Sequence, residues 1–225
     1  MPRDAQVPIL QGPLRGKRWI VGAGVHGYWL GSYEWDKCRA FAAAVRPGAV
    51  VFDVGANVGY YTLLAAELVR PSGQVFAFEP LPRNAYYLRA HLEMNRATTV
   101  RVTQAAVADC TGDLFFQEAQ EATMGHVSDR GSLRVPAVTL DELVQSQRAP
   151  LPDVIKMDIE GGELRALQGA VGTLTRGQPV VFLATHGPAV HRECCDLLTG
   201  LGYRVRPLAG AGALDATDEV VACKP

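Results

Sequence analysis

The sequence predicts an α/β protein built on a mostly parallel, doubly wound sheet that ends in a C-terminal antiparallel hairpin. Three observations carry this prediction. From about residue 50, apolar runs of strand length alternate with stretches of helical period. The first of those strands ends in Asp53 and a glycine-rich turn that opens directly into a helix. The tail holds two short β-like runs, YRVRPL (203–208) and DEVVACK (218–224), close enough together to pair as a hairpin.

Taken in order, residues 1–48 stand outside the alternation and read as an N-terminal cap segment, with a helix in WDKCRAFAAAV (35–45). Residues 49–225 read as a single domain. AVVFDV (49–54) is a short apolar strand, and YYTLLAAELV (60–69) a helix stopped by Pro71-Ser72-Gly73. QVFAFEP (74–80) is a second buried strand, and NAYYLRAHLEMN (84–95) a helix with Asn84 as its N-cap. VRVTQAAV (100–107) supplies a third strand, followed by a hairpin and a polar, glycine-containing loop over 118–132. Thr139-Leu140-Asp141-Glu142 fits a capping box. DVIKMDI (153–159) is the fourth strand, EGGELRALQGAVGTL (160–174) a helix, PVVFLATH (179–186) the fifth strand and AVHRECCDLLTGLG (189–202) a helix closed by glycine.

Composition narrows the function. Of 225 residues, 48% are hydrophobic and 20% charged, which excludes a disordered chain, and no apolar run is long enough to span a bilayer. A formal net charge of -1 gives no electrostatic case for nucleic acid or an anionic membrane as partner, and leaves a local basic patch open. The five cysteines are scattered without a CxxC pair, and the first residues lack the apolar core of an export signal. Free thiols in a cytoplasmic protein are the expectation.

The sharpest segment is Asp53-Val54-Gly55-Ala56-Asn57-Val58-Gly59. At the carboxyl end of the first strand of an open α/β sheet, such a turn lets backbone approach a ligand closely and aims helix N–H groups at it. The spacing departs from the dinucleotide pattern GxGxxG, and the carboxylate of Asp53 suits a cationic ligand better than a pyrophosphate. Glu79 ends the second strand twenty residues after Gly59, where an acid takes the hydroxyls of a ribose. Glycine loop and strand-end acid together point to an adenosine-bearing cofactor. A nicotinamide-dependent reductase would share this unit, yet neither GxGxxG nor a Tyr-x-x-x-Lys pair is present.

These residues sit in several blocks that occur in one order: LGSYEWD (30–36), PGAVVFDVGANVGYYTLLAA (47–66), VFAFEPLPRNAYYLRAHLEMN (75–95), AAVADCTGDLFF (105–116), VTLDEL (138–143) and IKMDIEGGELRALQGA (155–170). In these blocks the chain resembles the FkbM family of S-adenosylmethionine-dependent methyltransferases. The resemblance implies the Rossmann-like class I methyltransferase fold, with S-adenosyl-L-methionine as cofactor. It further implies that Asp53, Gly55, Asn57 and Gly59 line the methionine part of the cofactor and Glu79 its ribose. Ala106 and Val107 would lie near the adenine, and Tyr33, Glu34 and Thr62 at the mouth of the site. One departure stands out: where members of the family often end the fifth strand in Glu-x-His, this chain has Ala184-Thr185-His186.

Methyl transfer chiefly needs the nucleophile placed in line with the methyl group, which can supply about 7–11 kcal/mol of barrier lowering. A hydroxyl acceptor must also lose a proton. Strict alternation puts Lys156, Asp158 and Glu160 on one face of the fourth strand, with Asp158 at its carboxyl end beside the glycine loop. His186 ends the neighbouring strand. Asp158 and His186, with Glu160 behind them, are therefore the candidate catalytic residues. Glu160 and Glu163 equally suit a helix N-terminus, and Lys156 suits a plain ion pair with Asp158. No metal is expected, because no second carboxylate is evident on the fifth strand.

The resemblance implies O-methylation of a small-molecule acceptor, such as a sugar, polyketide or other secondary metabolite. N-methylation of a small amine and non-catalytic S-adenosylmethionine binding remain the alternatives, the latter because Ala184 replaces the glutamate. The N-terminal cap and the 118–132 loop are expected to form a lid over the acceptor pocket.

Overall fold

The computed structural model describes residues 2–118, 125–127, 133–208 and 212–225. The N-terminal segment gives an antiparallel ribbon, β1 (Gln6–Pro8) and β2 (Arg18–Ile20), then a one-turn helix α1 (Gly27–Leu30) and α2 (Trp35–Ala44). The alternation that follows yields β3 (Val50–Val54), α3 (Tyr60–Val69), β4 (Gln74–Phe78), α4 (Pro82–Met94) and β5 (Val100–Thr103). Next come β6 (Ala106–Val107), β7 (Gly112–Glu118), β8 (Gly125–Val127) and β9 (Leu133–Val138), which form a separate small sheet. The chain returns through α5 (Leu140–Gln145), β10 (Val154–Met157), α6 (Glu163–Gln168), α7 (Val171–Gly177), β11 (Val180–Ala184) and α8 (Pro188–Gly200). It closes with β12 (Arg204–Pro207), a 3-10 turn (Leu214–Ala216) and β13 (Glu219–Cys223).

Seven strands form the main sheet in the order β12-β13-β11-β10-β3-β4-β5, with β11, β10, β3, β4 and β5 parallel, β13 antiparallel to β11, and β12 antiparallel to β13. The strand order reverses between β3 and β10, so the crevice at their carboxyl ends is the switch point of the sheet. Alternation distributes the core to two faces. Phe52, Val54, Phe78, Ile155 and Met157 pack with α5, α6, α7 and α8 on one side. Val51, Val75, Val154 and Phe182 pack on the other with α2, α3 and the N-terminal segment, whose Ile9, Leu14, Trp19 and Phe41 are wholly buried. No helix among the described residues is long and apolar enough to cross a membrane.

Three elements differ from their sequence reading. The third strand breaks after Thr103: Glu79 N–H bonds to the Thr103 carbonyl, and Ala106–Val107 pair with Ala137–Val138 in the small sheet. The second helix starts at Pro82, whose fixed φ suits the first helical position, so Asn84 lies inside the first turn and Leu81 is the N-cap. The 160–174 helix is two, α6 and α7, because Gly169 runs against the backbone of Ala108, where a Cβ would meet the carbonyl oxygen at 2.0 Å. The Thr139 cap is present, accepting from Glu142 N–H at 3.0 Å. Residues 119–124 and 128–132 of the expected lid lie outside the described residues.

One buried polar residue ties the N-terminal segment to the domain. The His91 ring, with no exposed surface, stacks on Trp19 with centroids 3.7 Å apart, accepts Ile20 N–H at Nε2 (3.1 Å) and faces the Val58 carbonyl at Nδ1 (2.7 Å). Both nitrogens are satisfied by a neutral ring. Burial, opposed by the Val58 carbonyl, lowers its pKa to about 4. The unfolded chain, titrating near 6.5, therefore binds more protons between the two values, and stability falls as pH drops through that window. Wild type should lose about 2 kcal/mol between pH 7 and pH 5 that a His91→Gln variant does not lose, read from urea midpoints. Equal losses in the two proteins would remove His91 from the account.

Candidate active site

The site begins with the glycine loop after β3. Gly55 has φ +77° and lies so near the chain leaving β10 that a Cβ would sit 1.9 Å from the Asp158 carbonyl oxygen. Only glycine fits there. Gly55 and Ala56 N–H both bond to the Phe78 carbonyl, at 3.0 and 2.9 Å, which lashes the loop to the end of β4. Glu79, itself buried, continues the lashing: its Oε2 accepts Asn57 N–H (2.8 Å) and its Oε1 accepts Leu81 N–H (2.9 Å). Burial raises the Glu79 pKa, opposed by those two backbone bonds, Asn84 and Lys156.

Beneath the loop lies a buried ion pair created by strand register. Lys156 on β10 stands opposite Asp53 on β3, and their charged atoms are 3.4 Å apart. Lys156 Nζ also donates to the Gly55 carbonyl (2.8 Å), while Thr62 from α3 donates to the other Asp53 oxygen (2.5 Å). Asp53 and Thr62 are wholly buried.

Above the loop opens a cavity of about 310 Å³. Glu79, Leu81 and Ala105 to Ala108 border one part of it; Tyr28, Tyr33, Tyr60 and Tyr61 form an aromatic wall beside Gly55, Ala56 and Asn57; Asp158 and Glu160 also border it. Burial raises the pKa of all four tyrosines, Tyr28 to about 12, so their hydroxyls are neutral hydrogen-bonding groups. Asn57 Oδ1 is buried with no hydrogen-bond partner among the described residues. A buried acceptor without a donor at a cavity wall is the mark of a polar ligand.

Next to Asp158 the charges are dense. Lys37 of α2, 4% exposed, lies 2.7 Å from Glu219, 3.2 Å from Glu34 and 3.6 Å from Asp158. Burial alone would lower its pKa, but the three carboxylates overcome that and raise it. Burial pushes the Asp158 pKa up, and Lys156, Lys37 and His186 reverse the sign, so it is held below the usual carboxylate range. His186 Nδ1 is 2.8 Å from buried Glu163, while its Nε2 faces Glu160 (3.4 Å) and Asp158 (3.8 Å). The bond to Glu163 leads the interactions that raise its pKa to about 9.

The fold therefore brings Asp158, Glu160 and His186 together, although β10 ends at Met157 and Glu160 owes its direction to a left-handed turn (φ +56°) rather than to strand alternation. His186 borders a second, adjoining hollow with Arg192, Asp215, Thr217 and Asp218. Gly55, Asn57, Glu79, Ala106, Val107 and Tyr33 border the first cavity. Four residues stand behind it. Thr62 donates to Asp53, which pairs with Lys156, and Glu34 accepts from the Tyr61 hydroxyl and pairs with Lys37. Gly59 (φ +99°) makes room for Leu88, which a Cβ would meet at 2.6 Å. Lys156 faces Asp53 instead of the expected Asp158. Lys37 and the tyrosines Tyr28, Tyr60 and Tyr61 went unread, and Glu163 was read only as a helix-start acid.

A glycine loop at the switch point, a strand-end acid and an aromatic-walled cavity define a nucleoside-cofactor enzyme of the α/β class. Comparison with known proteins gives the family. The "Methyltransferase FkbM domain" matches residues 53–205. The chain is 48% identical to the 31-O-demethyl-FK506 methyltransferase FkbM of Streptomyces tacrolimicus, over 76% of this chain and 78% of that one. It is 31% identical to the hexuronic acid methyltransferase AglP of Haloferax volcanii, over 74% and 68%. A crystal structure of methyltransferase FkbM from Methylobacillus flagellatus shares the fold at a TM-score of 0.55 with 18% identity, covering 83% of this chain and 50% of that longer one. The chain belongs to the FkbM methyltransferase family, and it is an S-adenosylmethionine-dependent methyltransferase. The residues present fit that cofactor: an orphaned acceptor at Asn57, an acid at Glu79 and four aromatic faces suited to a sulfonium cation.

Lys156→Met should destabilise the protein by about 3 kcal/mol, because it leaves the Asp53 carboxylate buried without its cation. Adding Asp53→Asn should recover most of that loss in urea unfolding. An unchanged midpoint in the single variant would show that the pair is not what holds the loop.

Proposed function

We propose that the protein methylates a hydroxyl group of a small polyhydroxylated or polyketide-like molecule. The observation that carries the proposal is the set of two carboxylates and an imidazole, Asp158, Glu160 and His186, gathered where the cofactor cavity meets the second hollow. The cofactor supplies an activated methyl group on a sulfonium that leaves as a neutral thioether. Everything else falls to the chain. The aromatic wall and the glycine loop hold the cationic end, and Glu79 and Asn57 take the ribose side. The acceptor O–H donates to a carboxylate of the Asp158–Glu160 pair. As the oxygen–methyl bond forms and the sulfur–methyl bond breaks, the hydroxyl proton passes to that carboxylate. His186, held by Glu163 through Nδ1, stands beside that pair through Nε2.

The second hollow suits a sugar: Arg192, Asp215, Thr217 and Asp218 offer both donors and acceptors. The names of the two relatives agree in kind, since they act on a hexuronic acid and at a 31-O position. Methyl-labelled S-adenosylmethionine supplied with a panel of glycosides, uronic acids and macrolides should label an ether oxygen. Asp158→Asn should lower kcat by about 100-fold or more while S-adenosylhomocysteine still binds. Label recovered on nitrogen, or full activity in that variant, would overturn the proposal.

A further inference from the structure

Asp158, Glu160 and His186 each offer a ligand atom within 4.8 Å of the others, and His186 Nε2 lies 3.8 Å from Asp158 Oδ1 and 3.4 Å from Glu160 Oε2. An ion bonded at about 2.0–2.2 Å separates its neighbouring ligands by about 3 Å in an octahedron and about 3.5 Å in a tetrahedron. The three atoms are thus placed to close on one centre with small side-chain movement.

A fourth group, outside this set, fixes two of the three. Glu163 is fully buried, and its Oε1 bonds to His186 Nδ1 at 2.8 Å. That contact turns Nε2 toward the carboxylates. The same oxygen accepts Gly161 N–H (3.0 Å) and Ile159 N–H (3.3 Å), and so clamps the left-handed turn that carries Glu160. A buried carboxylate behind a histidine is the usual support of a metal-bound imidazole, fixing its tautomer and raising its basicity. Glu163 Oε2 is buried without a hydrogen-bond partner among the described residues.

The nearby cations are committed elsewhere. Lys37 approaches Asp158 through Oδ2, leaving Oδ1 free, and shares its charge with Glu34 and Glu219. Lys156 Nζ is engaged with Asp53 and the Gly55 carbonyl. Three carboxylates therefore surround one imidazole. Asp158 and Glu160 border the cavity, so a bound ion would keep open positions toward it.

We infer that Asp158, Glu160 and His186 form a site for one divalent cation, with Glu163 as its positioning residue. Two carboxylates favour magnesium or manganese, and the imidazole favours manganese of the two. The expectation of no metal arose because the second carboxylate was sought on the strand bearing His186; it comes from Glu160, swung round by the turn after Asp158. The inference rests on these side chains and not on the identity of the acceptor.

Manganese chloride titrated into the full chain and followed by electron paramagnetic resonance should show one bound ion per chain. Spin-echo modulation from a coordinated imidazole nitrogen should be visible in the wild-type protein. Glu160→Gln and His186→Gln should each weaken the affinity at least about tenfold, and Glu163→Gln about 10–100-fold. S-adenosylhomocysteine binding and melting curves on the same samples report folding and the donor site separately. Failure to bind manganese at millimolar concentration, bound manganese without nitrogen coupling, or unchanged affinity in folded variants would overturn the site. Where a variant does not fold, the nitrogen coupling in wild type decides alone. Wild-type protein that binds manganese with nitrogen coupling but not S-adenosylhomocysteine would count against the donor site and leave this one standing.

Discussion

The alignment of Lys156 on β10 with Asp53 on β3 is the contact on which the rest of the site depends. Parallel pairing of the two strands puts a lysine and an aspartate side by side in the core, at the point where the strand order reverses. A buried ion pair contributes little net stability, since desolvation offsets the attraction. Its consequence here is positional. Lys156 reaches the Gly55 carbonyl, so the glycine loop is held from below while Phe78 and Glu79 hold it from the side. The backbone groups facing the cofactor cavity are fixed before any ligand arrives, which is what orientation-driven chemistry requires.

The N-terminal segment completes that arrangement. It covers one face of the sheet with Ile9, Leu14, Trp19 and Phe41, and it supplies Tyr28, Tyr33 and Lys37 to the site. Lys37 joins α2 to Glu219 of β13 and to Asp158, so the two ends of the described chain meet at the carboxylate proposed to receive the acceptor. Around His186, likewise, three carboxylates gather about one ring.

Much of this was legible in the sequence. Apolar runs ending in Asp53-Val54-Gly55 and in Phe78-Glu79 announced the parallel strands and the crevice, because buried strands and tight turns are local features. The C-terminal hairpin was legible for the same reason. What failed were features set by tertiary contact. Gly169 reads as an ordinary helix residue until Ala108 is packed against it. Thr103 and Ala106 look like one strand until their partners prove to be in two sheets. At the site, Glu160 was reached by the wrong geometry, a strand alternation that stops at Met157. Glu163 was visible as a helix-start acid but not as the partner of His186, twenty-three residues away. The replacement of Glu by Ala184 suggested a weakened acceptor side, whereas Glu163 supplies a carboxylate to His186 from another element.

Calorimetric titration with S-adenosylmethionine and S-adenosylhomocysteine, using wild type alongside Asn57→Ala and Glu79→Ala and with NADH as control, tests the central claim most directly. Micromolar binding of both sulfur compounds, weakened at least about tenfold by each substitution and absent for NADH, is the expected result. Sulfur-cofactor binding that ignores both substitutions would place the donor outside the cavity between β3, β4 and β10, and would contradict the account.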